Sequence, residues 1–475
     1  MTVQTHWIEN RAVPGGGAEI PVVNPANEQV IDSIPKGSAA EADAAVNAAR
    51  RAFPAWAALS PNERRAAIRI AVDKLAGIRD ELARLFTTEM GKPLAQATGE
   101  INTALDVARS FTELITHLRS GSQMSAGGEL NFQQRVARGV AACIIPWNFP
   151  IAVGIENVVP NLLVGNTVVW KPSEKTPLGS RMIAEKAFGH LPPGVLNLLL
   201  GDGSGAGDPL VRHPGVDLLV FVGSERTGRN LAEVCGRDLK KAIIELGGKD
   251  PLIVDETVDV SVAARLGAEA TYFNAGQICT STERLYIARQ IFDEYIEALI
   301  EESRNIRIGN GLEADVQMGP LVDRIQLNRV AEHVADAVAR GARVRYGGQR
   351  LDRIGYFYPP TVVTDVVPDC RLMVEETFGP IAPCIPFDDF DEAIALANGT
   401  RYGLAAILCT TSAPRAIKAV HELNAGMVKI NTMRGKAPGA TSEPFGSSGL
   451  GHGYGVEFLY ELTRQKSIHW RGAPR

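Results

Sequence analysis

A chain of 475 residues is longer than one hydrophobic core can serve, so two or three domains are expected. With 45% apolar and 22% charged residues, it has the composition of an ordinary soluble protein. A formal net charge of −5 argues against general affinity for nucleic acid or anionic membrane, and neither is expected as a partner.

The opening segment MTVQTHWIENRAVPGGG has no basic region followed by an apolar one, so no signal peptide is expected. Ser60-Pro61-Asn62-Glu63 reads as a capping box with proline at the first helical position. The run RRAAIRIAVDKLAGIRDELARLF repeats apolar residues at helical steps. The polar, glycine-broken stretch 120–139 reads as a surface hairpin or as an arm that pairs with another subunit. From about residue 139, short apolar runs alternate with helices: VAACII, TVVWK, LNLLL, DLLVFV, KAIIEL and PLIVD, then RLYIA, AAILCT and MVKI. The most apolar region is broken by Pro146, Pro150, Glu156 and Asn157, so it lacks the ~20 uninterrupted apolar residues of a membrane span. Strands without polar alternation are buried on both faces, and strands alternating with helices build parallel sheets. The fold class predicted is α/β, with two doubly wound parallel-sheet domains split near residue 248.

The six cysteines are scattered, without a CxxC pair or Cys/His cluster, so neither zinc nor a disulfide framework is expected and a reducing cytoplasm is the natural setting. Cys143 and Cys409 lie inside apolar runs and read as packing. Cys279 instead follows Asn274-Ala275-Gly276-Gln277, a turn-prone sequence that favours an accessible thiol, although a buried packing role is the ordinary fate of a cysteine. Glu245 ends the strand KAIIEL, where carboxylates face the crevice of a parallel sheet, and Gly247-Gly248 behind it leaves room for approach. By itself it reads equally as a surface glutamate at a strand end, and the glycine pair tips the balance towards a functional carboxylate. Asn148, in Pro146-Trp147-Asn148-Phe149-Pro150, is either a turn cap or a rigidly placed amide donor.

Together these stretches resemble the aldehyde dehydrogenase superfamily over nearly the whole chain. PWNFP, TVVWKPSEKTP, FVGSERTG, IELGGKDP, NAGQICTSTER and EETFGP stand in that family's order, with Glu245 placed 34 residues before Cys279. The resemblance implies that Cys279 attacks an aldehyde, that Asn148 and the Cys279 amide hold the oxyanion, and that Glu245 activates water against the thioester. Relatives that pass the acyl group to coenzyme A usually lack this glutamate, so hydrolysis to the acid is implied. A catalytically silent structural relative and a coenzyme A-acylating or thiol-esterase activity are the alternatives. A cysteine hydrolase would need an activating histidine, and none of the eight falls in a recognised motif.

The same resemblance implies a cofactor site of Ile145, Trp147, Lys171, Ser173, Glu174, Gly223, Ser224, Glu376 and Phe378. Glu174 would accept from ribose hydroxyls and repel a 2′-phosphate by ~3 kcal/mol at ~5 Å and an effective dielectric near 20. NAD is therefore the expected cofactor, with NADP admitted because Lys171 stands beside it. GDGSGAG at 201–207 reads as a glycine-rich turn rather than a dinucleotide loop. The substrate end departs from the family pattern: Arg434 and Lys436 stand early in the last loop, and Glu156 occupies a position where semialdehyde-oxidising relatives often carry arginine. Ile278 and Thr280 flank the nucleophile as in relatives taking aromatic or short aldehydes. The resemblance further implies a homodimer or homotetramer and the division 1–118 with 139–247 for the dinucleotide, 248–445 for catalysis, and 119–138 with 446–475 for assembly.

Overall fold

The structure, a computed structural model, describes residues 3–124, 129–433 and 440–471. Its helices begin where local chemistry places them. Ser60 Oγ accepts from Glu63 N at 3.3 Å while Glu63 Oε2 accepts from Ser60 N at 2.7 Å, a complete capping box opening the helix Pro61–Gly77. The apolar run that follows is not one helix. It breaks at Ile78 (φ −104°, ψ 7°), whose N–H turns back to the Leu75 and Ala76 carbonyls, and restarts as Arg79–Met90 with Leu82, Phe86 and Met90 buried.

Every apolar run expected to be a strand is one, and together they form two sheets, as the predicted fold class requires. The first orders Arg11–Val13, His6–Ile8, Leu196–Leu198, Thr167–Pro172, Val140–Ile145, Leu218–Val222, Lys241–Glu245 and Gly449–Leu450. Its five inner strands are parallel and its outer pairings antiparallel. Among the parallel strands the chain starts at Val140–Ile145, steps outward through two strands, then returns on the other side at Leu218–Val222. At such a reversal the loops beyond adjacent carboxyl ends diverge and open a crevice for ligands.

The second sheet orders Arg343–Tyr346, Thr361–Thr364, Ile381–Phe387, Thr282–Ala288, Asp250–Val254, Ala405–Cys409 and Met427–Ile430. Its first three strands were not legible in the sequence. Ile381–Phe387 holds Pro383 and Pro386 in an interior position, where each forgoes a ladder donor. Each sheet has helices packed on it, and their apolar side chains form separate buried cores.

A third, antiparallel sheet pairs Thr463–Trp470 with Leu130–Ala137 and the latter with Ser122–Met124. Gly203–Gly207 is a single π-helical turn, capped by Asp202, that runs into the helix Asp208–Arg212. Among the described residues, no helix is long and apolar enough to cross a membrane.

Candidate active site

The helix Val260–Tyr272 ends in an abrupt reversal. Asn274, Ala275 and Gly276 take φ values of 54°, 55° and 72°, a left-handed run that costs roughly 1–2 kcal/mol at each non-glycine residue. Side chains hold it. Gln277 Nε2 donates to Asn274 O at 3.0 Å, Asn274 Nδ2 donates to Gln277 O at 3.2 Å, and Gln277 Oε1 accepts from Val322 N at 2.9 Å. A tight turn closed by Ser281 N donating to Ile278 O at 3.1 Å then presents Cys279.

Of the six cysteines, Cys279 alone is not buried. Burial pushes the thiols of Cys143 and Cys384 far up and that of Cys409 up to about 12, which keeps them protonated and inert.

Asn148 reaches the same loop from the first sheet. Its Nδ2 donates to Gln277 O at 2.9 Å, two residues before the thiol, and its own carbonyl accepts from Lys92 Nζ at 3.0 Å. Lys92 in turn sits 2.5 Å from Glu100, whose other oxygen accepts from Ile151 N and Ala152 N at 3.0 and 3.1 Å. A buried ion pair thus caps the helix Pro150–Val164 and fixes the asparagine just before it.

Glu245 ends its strand half-buried, and its carbonyl accepts from Gly223 N at 3.0 Å. Gly453 lies so close to it that a Cβ there would overlap the Glu245 carboxylate. The space left by Gly247 and Gly248 is filled by the protein itself. A Cβ on Gly247 would strike the Glu376 carboxylate, and one on Gly248 would come within 2.9 Å of the Cys279 carbonyl.

Asn148, Glu245, Gly247, Cys279 and Glu376 line one cleft of about 490 Å³. Of the sequence candidates it brings together Trp147, Asn148, Glu156, Gly223, Ser224, Glu245, Ile278, Cys279, Thr280, Glu376 and Phe378. Ile145 is buried in the core, 2% exposed, at the end of the strand Val140–Ile145 and does not line it. Lys171, Ser173 and Glu174 sit at the end of the neighbouring strand, outside the lining, with Lys171 Nζ 3.7 Å from Glu174 and burial lowering its pKa. Arg434 and Lys436 lie outside the described residues.

The sequence pattern of the Aldehyde dehydrogenase family matches residues 12–468. The chain belongs to that family. It is 39% identical over 473 residues to succinate-semialdehyde dehydrogenase [NADP(+)] GabD of Escherichia coli (strain K12), covering 97% of this chain and 96% of that protein. The crystal structure of lactaldehyde dehydrogenase from Escherichia coli superposes with a TM-score of 0.96 at 35% identity, covering 98% of this chain and 99% of that one. Betaine aldehyde dehydrogenase from Staphylococcus aureus, solved in complex with NAD+, superposes with a TM-score of 0.95 at 32% identity, covering 99% and 95%. The protein is accordingly an aldehyde dehydrogenase, an oxidoreductase that converts an aldehyde to the acid with a nicotinamide cofactor.

The residues of the dehydrogenase's cleft fit such a cofactor. The helix Glu225–Arg237 starts at Ser224 with no side-chain bond to its first amides, which suits pyrophosphate. Glu376 offers a carboxyl whose pKa is pushed up to about 8, chiefly by desolvation and then by the charge of Glu283, with Arg329 opposing. Trp147 and Phe378 meet edge to face with ring centroids 5.4 Å apart. Sequence reading missed Gln326, Arg329, Lys429 and Glu443, which also line the cleft, and Lys92, Glu100 and Gly453 behind it. The glycine-rich GLGHGYG was the one available signal for Gly453. Lys92 and Glu100 gave none, because their pairing depends on where two helices meet.

Proposed function

We propose that this dehydrogenase works through Cys279 and releases a free acid by hydrolysis. The observation that carries the reading is the single accessible thiol, held on a strained turn whose Gln277 carbonyl anchors Asn148. Cys279 adds as the thiolate, its Sγ bonding to the aldehyde carbon while the C=O π pair moves to the oxygen, which takes the negative charge. The Asn148 Nδ2 group has a second hydrogen for that oxygen, and the Cys279 N–H is the other donor; one such donor contributes roughly 3 kcal/mol. Bound NAD(P) supplies the hydride acceptor, which leaves the acyl group on sulfur. Glu245 takes a proton from water as it attacks the thioester, and sulfur leaves as thiolate.

Pyrophosphate falls to the helix start at Gly223 and Ser224, and the nicotinamide ribose to Glu376 beside Phe378. Lys171, Ser173 and Glu174 take the adenosine ribose, with Ile145 and Trp147 supporting the turn between. Glu174, held near Lys171, favours NAD over NADP. Thr103, Glu156, Thr280, Ser442 and Glu443 make the cleft lining rich in hydrogen-bonding groups. That lining suits a small hydroxylated aldehyde, in keeping with the lactaldehyde-type relative and less with a simple semialdehyde. Lys429 in the lining, with Arg434 and Lys436 shortly after it in sequence, gives the semialdehyde reading its own support.

We also read the two large sheets as the cofactor and catalytic domains, with the boundaries given above. The sheet containing Leu130–Ala137 and Thr463–Trp470 would join copies into a dimer or tetramer. Six cysteines outside any disulfide suit the cytoplasm.

The test is an aldehyde panel of hydroxyaldehydes, dicarboxylic semialdehydes, aminoaldehydes and aromatic aldehydes, run with each cofactor and without coenzyme A. NADH formation without coenzyme A, abolished in Cys279→Ala, is the expected outcome. Turnover surviving that substitution would remove the nucleophile.

A further inference from the structure

Beneath the cleft lies a second buried ion pair that no step above uses. Lys249 and Glu283 have side chains 0% and 4% exposed, with Lys249 Nζ 2.5 Å from Glu283 Oε2. Glu283 stands four residues after Cys279, on the strand Thr282–Ala288. Lys249 stands four residues after Glu245.

Their contacts converge on a third stretch. Glu283 Oε2 also accepts from Thr377 N, and Oε1 from Phe378 N, both at 2.8 Å. Lys249 Nζ donates to Thr377 Oγ1 at 3.2 Å. From the other side, Gln326 Nε2 donates to Thr377 O at 2.9 Å and to Phe378 O at 2.7 Å. Side chains therefore take both amides and both carbonyls of this dipeptide. It needs holding, because Phe378 has φ +57°, a left-handed conformation unfavourable for any residue but glycine.

We propose that Lys249 and Glu283 are positioning residues: Glu283 clamps the Glu376–Phe378 turn at a set distance from Cys279, and Lys249 ties both to the loop that follows Glu245. This rests on the reading that Cys279 is the nucleophile and Glu376 the ribose acceptor. The choice of an ionised side chain follows from the donors. A carboxylate only accepts, so it satisfies two backbone N–H groups and an ammonium at once, whereas an amide in its place would turn its own N–H group towards one of them. A buried pair is weak evidence for stability, since well-packed apolar residues often serve as well. Its contribution here is alignment, and hydride transfer is sensitive to displacements of about 1 Å.

Glu283→Gln and the milder Glu283→Asp test this in the full-length enzyme. Glu283→Gln is expected to lower kcat at least roughly tenfold and raise the KM for NAD, while alkylation of Cys279 by iodoacetamide without cofactor changes less than about twofold. Deuterium at the aldehyde carbon should slow the variant more than the parent, because hydride transfer has become limiting. Glu283→Asp, which keeps the charge, should recover part of the loss, and it decides the matter by the same measurements if Glu283→Gln does not fold. Parental kcat and NAD KM in the variants would overturn the proposal, as would alkylation falling in step with turnover. Failure of the underlying reading looks different: parent enzyme alkylated at Cys279 would remain active.

Discussion

The two large sheets bring their residues to the cleft from opposite strand ends. In the first sheet, Asn148, Gly223 and Glu245 lie at or just beyond the carboxyl ends of parallel strands, where a reversal of strand order opens the crevice. In the second, Cys279 and Glu376 stand before the amino ends of Thr282–Ala288 and Ile381–Phe387. The first set needs only ordinary turns. The second passes through left-handed backbone at Asn274, Ala275 and Phe378, with side-chain hydrogen bonds holding the backbone of Asn274 and Phe378. Strand order thus lays out one wall of the cleft without backbone strain, and the facing wall depends on strain held in place. A buried lysine–glutamate pair lies behind each wall.

The pair behind the first wall gives the largest effect. Lys92→Met leaves Glu100 buried without its cation and frees the Asn148 carbonyl. A loss of roughly 3–5 kcal/mol in unfolding free energy is expected, measured by denaturant titration. A loss under about 1 kcal/mol would show that the first wall needs no such support.

Removing the donor itself comes next. Asn148→Ala should lower kcat roughly 10²- to 10³-fold with the KM for NAD little changed, in steady-state assays. An equal loss in binding would place the asparagine in cofactor recognition instead.

Gly453→Ala probes the meeting of the first sheet with the C-terminal segment. Its backbone tolerates a Cβ, but the Glu245 carboxylate must move aside. Hydrolysis should slow roughly tenfold, and stopped-flow traces should show a burst of NADH as deacylation becomes limiting.

The smallest effect concerns Glu376 on the second wall. Below about 8 its carboxyl is neutral and one oxygen is a donor; above that value both oxygens would accept from the hydroxyls of the proposed ribose. NAD binding, followed by fluorescence titration, should tighten by at most about tenfold from pH 7 to 9, and Glu376→Gln should abolish that dependence. A flat profile in the parent would mean that the carboxyl is already ionised at neutral pH.

The sequence singled out a thiol after Asn-Ala-Gly-Gln, a carboxylate closing an apolar strand and an amide between prolines, each with an ordinary structural alternative that the family resemblance outweighed, and the structure brings the three to one cleft. The buried strands were legible from unbroken Val, Ile and Leu runs, which only a sheet covered on both faces requires. Ile381–Phe387 was hidden by its prolines, and the break at Ile78 by helical periodicity that continues through it. Lys92, Glu100, Lys249, Glu283 and Gly453 were decided only by the tertiary structure. Their partners lie across helix, strand and loop junctions, and a charged residue in a sequence gives no sign of whether water or a buried backbone amide will meet it.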